Sequence, residues 1–334
     1  MRIRLVGHLG EPYMNIGSDG PWWEFVSELK NLGCEIVESN YGDKIDALIA
    51  NSHSKIAVEE CRKNKVPKNK MFIILWEPKI NDYKRHSKKV LNKYGTVWSP
   101  SIDWASQSEA KFFNWPQLGL FQQYETEESW NRRQNKAVMI LANKFSATRG
   151  ELYTLRRQLS LLTAKKMTMD LYGAKWNLKK IYSYRHYFGN LVRTPINLIS
   201  IKSFRYLGKF QNNYKGLSQD KFITAKDYRI VVVLENSMDY ISEKLFDAYA
   251  SNAIVIYVGP KINRYGIPES AAIQVEPDAN KINQKITQLQ SLPIEKQFEI
   301  TKEQQKSILS VSKNWYCNDV LKKLAVDIYK ELQL

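Results

Sequence analysis

Short apolar runs, each followed by a stretch of helical periodicity, recur along this chain. The runs read IRLV, CEIV, DALIA, MFIILW, AVMIL, MDLY, YRIVVVL and AIVIYV in chain order. Between them lie amphipathic stretches such as PWWEFVSELKNLG, whose Trp22, Phe25, Val26 and Leu29 fall on one helical face before Gly33 stops it. Ser18 or Asp19 would cap that helix, with Pro21 in its first turn. Short apolar strands alternating with helices predict an α/β fold built on parallel sheets covered on both faces. The alternation pauses at residues 122–134, a polar and charged stretch that reads as a linker, and then resumes. Two domains follow, residues 1–125 and 135–334, with late helices expected over 284–292 and 319–332.

The chain has 334 residues, 43% hydrophobic and 25% charged, as expected of a globular protein with a large core. No apolar run approaches the roughly eighteen residues of a membrane span. MRIRLVGHLG reads as a first strand and not as a signal peptide, so a cytoplasmic location is expected. Cys34, Cys61 and Cys317 are far apart and odd in number, which predicts reduced thiols. The four histidines are scattered, so no zinc site is expected. The formal net charge is +16, and residues 152–222 hold fourteen Lys and Arg against two acidic residues. Such a balance suits phosphate-bearing partners: nucleotides, nucleic acid, or an anionic surface such as the cytoplasmic leaflet. No nucleic-acid-binding motif accompanies it, so no specific nucleic acid is expected.

The segment at residues 228–260, YRIVVVLENSMDYISEKLFDAYASNAIVIYVGP, reads as strand, polar turn, helix and strand. A helix starting near Tyr240 would set Tyr240, Glu243, Lys244 and Asp247 on one face, at the strand-to-helix junction where open α/β sheets bind ligands. A helix N-terminus with a lysine suits a diphosphate, and a neighbouring glutamate suits a ribose diol. An ordinary capped helix, with Ser237 or Asp239 as cap and a solvated Glu243–Lys244 pair, fits equally well on helix physics alone.

The same segment resembles the signature of the α1,3/4-fucosyltransferases, glycosyltransferase family 10, which runs F-E-N-(S/T)…(D/G)-Y-(I/V)-T-E-K and, after a short helix, P-(V/I)-Y-x-G-x-P. Glu235, Asn236, Ser237, Tyr240, Glu243, Lys244, Tyr257 and Gly259 match it, while Leu234, Ser242, Val255 and the early Pro260 depart from it. AVMILANKFSATRGELYTLRRQL, DLYGAKW, KGLSQDKFITAKDY and IPESAAIQV resemble further family segments in order, covering about residues 137–275. The resemblance implies a GT-B architecture, two Rossmann-like doubly wound domains facing across a cleft, with an acceptor-side domain first and a nucleotide-sugar donor domain second. It implies that Arg149 contacts the donor phosphates, a task suited to a planar guanidinium. Asn236, Tyr240, Glu243 and Lys244 are then the remaining donor contacts.

In the first half, FIILWEPKIN resembles the segment in which the family carries its catalytic base, which would make Glu77 the group that deprotonates the acceptor hydroxyl. The Gly-rich GHLGEPYMNIGSDG lacks phosphate-loop spacing. It would border the acceptor side, with His8, Glu11 and Asp19 as candidates. Trp22 and Trp23 could stack on sugar but read first as buried helix residues.

The expected activity is an inverting transfer of fucose from GDP-fucose to a glycan hydroxyl, in α1,3 linkage on lipopolysaccharide or another surface glycan. No cofactor or metal is required in that reading, since no Asp-x-Asp motif closes a strand. The basic stretch would hold the enzyme at the inner membrane. The alternatives are a GT-B enzyme using another nucleotide sugar, a degenerate transferase that only binds glycans, and a basic nucleic-acid-binding protein.

Overall fold

The computed structural model describes residues 1–7, 22–37, 41–77, 79–80, 85–108, 110–117, 125–176, 191–192, 194, 196–207 and 212–334. His8, Glu11, Ser18 and Asp19, the residues singled out in the Gly-rich loop, lie outside the described residues. The chain divides into two compact units, Met1–Leu118 with Lys313–Leu334, and Gly119–Ser312.

The first unit is built on β1 (Arg2–Val6), β2 (Glu35–Val37), β3 (Ala47–Ala50), β4 (Met71–Ile74), β5 (Thr96–Ser99) and β6 (Lys111–Phe112). They form one sheet in the order β2-β1-β3-β4-β5-β6, with every pairing parallel. Alternate residues of each strand serve the two faces. Ile3, Leu5, Ile49, Phe72 and Ile74 pack against Phe25 and Leu29, whereas Leu48, Ala50 and Ile73 pack against Ala57 and Cys61. The C-terminal helix Cys317–Gln333 belongs to this unit, not to the second domain in which residues 135–334 place it. Its stripe of Leu321, Leu324 and Ile328 fills the same cluster as Phe25 and Leu29. An apolar stripe declares that a helix must be buried but not on which sheet, and only the return of the chain decides that.

The second unit is built on β7 (Gln134–Ile140), β8 (Met169–Tyr172), β9 (Tyr214–Gly216), β10 (Tyr228–Leu234), β11 (Ile254–Val258) and β12 (Ile273–Gln274). The order is β12-β11-β10-β7-β8-β9, again parallel throughout. Ala137, Met139, Leu171, Ile230, Val232 and Ile256 face Leu159, Ile282 and Ile286, so one side is covered by the helices Tyr153–Lys166 and Ala279–Gln290. The opposite side is approached by the helices Lys221–Lys226 and Glu243–Ala250. The helix Ile294–Leu309 has no counterpart in the sequence pattern. Its buried positions include Gln297, Gln304 and Gln305 where a stripe of apolar residues would have marked it. Gln304 both donates to and accepts from the Val255 backbone, at 3.2 and 2.8 Å, and so satisfies peptide groups that would otherwise be buried unpaired.

Candidate functional site

In the second sheet the strand order reverses between β7 and β10, because the chain proceeds outward through β8 and β9 and then returns to the other side of β7. The carboxyl ends of β7 and β10 diverge there, leaving the crevice in which open α/β sheets take ligands. The loops that follow these strands are joined: the Leu152 N–H donates to the Asn236 carbonyl at 2.9 Å, and Glu151 and Ser237 form an isolated antiparallel bridge. The segment carrying Arg149 and the one carrying residues 235–244 therefore meet at the switch point.

The helix after β10 starts at Glu243, three residues later than the expected start at Tyr240. Ser242 is its cap, with its hydroxyl accepting from the Lys244 N–H. That hydroxyl donates to Glu235 Oε2 at 2.7 Å, and the Ser242 N–H donates to Glu235 Oε1 at 2.9 Å. A carboxylate that takes both groups of the cap pins residues 236–242 as an extended turn, which delays the helix. Tyr240 thus lies in the turn, buried, and does not share a helical face with Glu243 and Lys244. Neither Ser237 nor Asp239 caps the helix; Ser237 donates to Asp239 at 3.1 Å.

Glu235 is fully buried and organises the site. Besides Ser242 it accepts from Lys244 Nζ at 3.3 Å and from the Tyr257 hydroxyl at 3.5 Å. Burial, and then the Glu235 charge, push the Tyr257 phenol well above its ordinary range, so it stays a neutral donor. A Cβ at Gly259 would lie 2.3 Å from the Tyr257 hydroxyl oxygen and 2.8 Å from Glu235 Cγ, so only glycine fits beside this pair. Three residues of the family signature, Glu235, Tyr257 and Gly259, are in this way explained by packing.

Lys244 Nζ also donates to Ser242 Oγ at 2.7 Å and lies 3.6 Å from Glu243 Oε1. Its side chain is 13% exposed, so the ammonium is held in place and still reaches the surface. It lines a recess with Lys221 and Asp247, floored by Ile140 and Val231 at the β7–β10 junction. Glu243 is 45% exposed. Burial would raise its carboxyl, but Lys244 and its own backbone N–H outweigh that and draw it below the usual range. Asp247 is shifted the other way, raised by burial and by Glu243 against the opposing pull of Lys221.

The three arginines of the RG…RR segment separate by burial. Arg149 is exposed, in a turn closed by Gly150, whose φ of +89° disfavours any other residue. Arg156 and Arg157 are fully buried. Arg156 Nη2 donates to the Leu234 and Glu235 carbonyls, both at 2.8 Å, and to Asn236 Oδ1 at 3.0 Å, with its guanidinium 4.8 Å from the Tyr153 ring. Asn236 is buried and held by that arginine. Arg156 is thus a residue that the sequence reading passed over; its position at i+7 from Arg149 was the available signal.

In the first unit, Glu77 follows β4 at the carboxyl edge of its sheet and is exposed. Its carbonyl oxygen is 2.9 Å from His86 Nε2. Beside it Trp76 donates to Asn51 Oδ1 at 3.3 Å and meets Trp22, Phe113 and Trp115 edge-on, with ring centroids 5.1 to 5.3 Å apart. Trp22 packs against the core, whereas Trp23 is exposed. Among the described residues no three His, Cys, Asp or Glu side chains gather as metal ligands. Cys34, Cys61 and Cys317 are free and buried. Burial and then Glu60 push the Cys61 thiol up to about 12, too high for a nucleophile at neutral pH.

No protein-family model and no curated sequence matches this chain. Solved structures do. HepE of Anabaena, solved with UDP-glucose, superposes with a TM-score of 0.58 at 10% identity, over 99% of this chain and 100% of that one. A glycosyltransferase from Rickettsia africae ESF-5 gives 0.52 at 14% identity, over 99% and 98%. A UDP-forming α,α-trehalose-phosphate synthase from Burkholderia vietnamiensis gives 0.50 at 11%, over 86% and 73%. The fold class is GT-B. At these identities the likeness is one of architecture: two Rossmann-like units, each with a six-stranded parallel sheet. The site geometry has to carry the chemistry.

Proposed function

We propose that this chain is a nucleotide-sugar-dependent glycosyltransferase whose donor diphosphate is held at the carboxyl edge of the second sheet. The observation that carries the reading is Lys244. Its ammonium is fixed by Glu235 and Ser242 in the first turn of a capped helix, where the helix dipole and free N–H groups already favour an anion. Arg149, exposed on the adjoining loop, supplies a second cation. Together they would stabilise the charge that develops as the diphosphate leaves. Glu243, ionised and half-buried, suits the ribose diol. Tyr240 and Asn236 shape the turn from inside.

The transfer is read as inverting and free of metal. An acceptor hydroxyl oxygen bonds to the anomeric carbon as the bond to the diphosphate breaks. Glu77 takes the hydroxyl proton, and the nucleoside diphosphate departs with the bonding electrons.

The signature at residues 234–259 favours GDP-fucose as donor and a surface glycan, such as lipopolysaccharide, as acceptor in α1,3 linkage. A second reading, a UDP-hexose donor, is favoured by the fold shared with HepE, which was solved with UDP-glucose. Titrating the protein with GDP, UDP and GDP-fucose tests both. Binding of GDP and GDP-fucose in preference to UDP supports the first reading, and UDP alone supports the second. No binding of either diphosphate at millimolar concentration overturns the transferase reading. Unchanged turnover in the presence of EDTA would support the metal-free step, and its loss would refute it.

A further inference from the structure

Arg157 is buried for a different purpose from Arg156. It donates to the Ser203 and Lys144 carbonyls at 2.9 Å, to Thr154 Oγ1 at 2.8 Å and to the Arg205 carbonyl at 3.3 Å. The Ser200 N–H donates to the Ala147 carbonyl at 2.8 Å, and Thr148 and Ile199 form an antiparallel bridge. Residues 199–205 are thereby fastened to the loop that follows β7. Desolvating a guanidinium is costly. Spending one on the carbonyls of a surface turn holds that turn in a defined shape.

Ile201 in this segment, with Ile196 and Val192 shortly before it in sequence, presents an aliphatic side chain to solvent. Ile196 is 90% exposed, Ile201 86% and Val192 68%. A single exposed isoleucine is ordinary, but two within six residues, one of them in an anchored turn, form a feature. Lys202 and Arg205 are exposed in the same turn. In sequence, residues 152–222 hold fourteen basic residues, of which Arg156 and Arg157 lie in the interior, against two acidic ones. Aliphatic tips beside cations match the boundary of an anionic bilayer, where apolar side chains enter the acyl region and Lys and Arg meet headgroups. Nucleic acid would use the cations and leave the isoleucines in water.

We propose that Val192, Ile196, Ile201, Lys202 and Arg205 form a docking face for the surface of an anionic bilayer. Ile196 and Ile201 enter the acyl boundary, and Lys202 and Arg205 engage lipid phosphates. The contact is peripheral, as no helix among the described residues is long and apolar enough to cross a membrane. The Thr148–Ile199 bridge sets this face one residue from Arg149, so docking brings the bilayer beside the donor loop. The inference stands without the transferase reading. Together with it, the face would present the enzyme to acceptors assembled on lipid.

The test is flotation of the full chain with vesicles of phosphatidylglycerol and phosphatidylcholine, and with phosphatidylcholine alone. The wild type should float with the anionic vesicles and bind neutral ones at least about tenfold more weakly. The exposed double variant I196S/I201S should lose at least about tenfold in binding to anionic vesicles, with melting temperature and GDP or UDP affinity unchanged. K202S/R205S should lose roughly fivefold per charge removed. Failure of the wild type to float with anionic vesicles overturns the proposal, as does equal flotation of I196S/I201S. Self-association of the wild type on gel filtration, without vesicle binding and abolished by I196S/I201S, would instead mark a contact between copies.

Discussion

Each unit buries a charged cluster, and the two clusters are built differently. In the first, Arg4 and Glu60 are paired head to head, with Arg4 Nε and Nη2 each 2.8 Å from a Glu60 oxygen. Arg4 also donates to the Val37 carbonyl and to Asp43, and lies 5.3 Å from the centre of the Tyr41 ring. The buried guanidinium is met by carboxylates on the spot. In the second, Glu235, Lys244 and Arg156 surround the turn at the carboxyl end of β10, with Arg156 bound to carbonyls and an amide oxygen and its Nε without a hydrogen-bond partner. Arg156 still feels the Glu235 charge. The Lys244 ammonium, paired with Glu235, is the cation of this cluster that reaches the surface. The same chemistry serves as a staple in one unit and, in the other, holds the turn that carries the proposed anion site. The difference lies in whether the cation is enclosed by carboxylates or held at the edge where strands diverge.

Changes in turnover, stability and affinity test this contrast. The largest effect should be on turnover. Glu77→Gln should lower it by roughly 10²–10⁴ if Glu77 is the base, with nucleoside diphosphate affinity unchanged in calorimetry. A variant that turns over normally would remove Glu77 from the chemistry and leave the first unit with a purely structural use of charge. Next, Glu60→Ala strands a buried guanidinium and should cost about 3–5 kcal/mol of stability in denaturant melts. The folded protein should still bind nucleotide normally; a selective loss of nucleotide binding would break the distinction.

Lys244→Ala should weaken GDP or UDP binding roughly 10–100-fold, as expected for a charge-assisted contact, while barely changing affinity for the bare nucleoside. Glu235→Gln should weaken the diphosphate in the same selective way, and adding it to Lys244→Ala should have little further effect, because the two act as one unit. Equal losses for nucleoside and diphosphate would mean that Glu235 only supports the fold.

The smallest effect concerns Asp247. Its folded pKa is raised above the ordinary value by burial and by Glu243, so its ionisation opposes folding and stability falls as pH rises through its titration. Asp247→Asn should therefore leave the protein equally stable or more stable at pH 7, by about 0.5 kcal/mol. Its exposed contact to Lys221, 3.4 Å long, contributes little against this. A clear loss of stability at pH 7 would show that the Lys221 pair matters more than the burial.

The α/β class was legible in the apolar runs, since strands buried on both faces have to be continuous and hydrophobic. The family resemblance singled out Arg149 and Lys244 as donor contacts; in the second unit Arg149 is exposed and the Lys244 ammonium reaches the surface. The start of the helix at Glu243 was not legible, because it depends on a carboxylate eight residues upstream taking both groups of Ser242. Nor was the choice among Arg149, Arg156 and Arg157, which share one segment and differ only in what folds over them. The helix Ile294–Leu309 escaped because buried glutamines replace part of its apolar stripe.

By itself, then, the sequence determined the alternation of strand and helix, the excess of positive charge, and the concentration of polar residues after β10. These follow from local periodicity and composition, which need no partner to be read. The tertiary structure alone decided the strand order that opens a crevice between β7 and β10, the return of the helix Cys317–Gln333 to the first sheet, and the division of signature residues into interior scaffold and surface contact. Those depend on which distant groups meet, and a buried charge takes its role from the groups it meets.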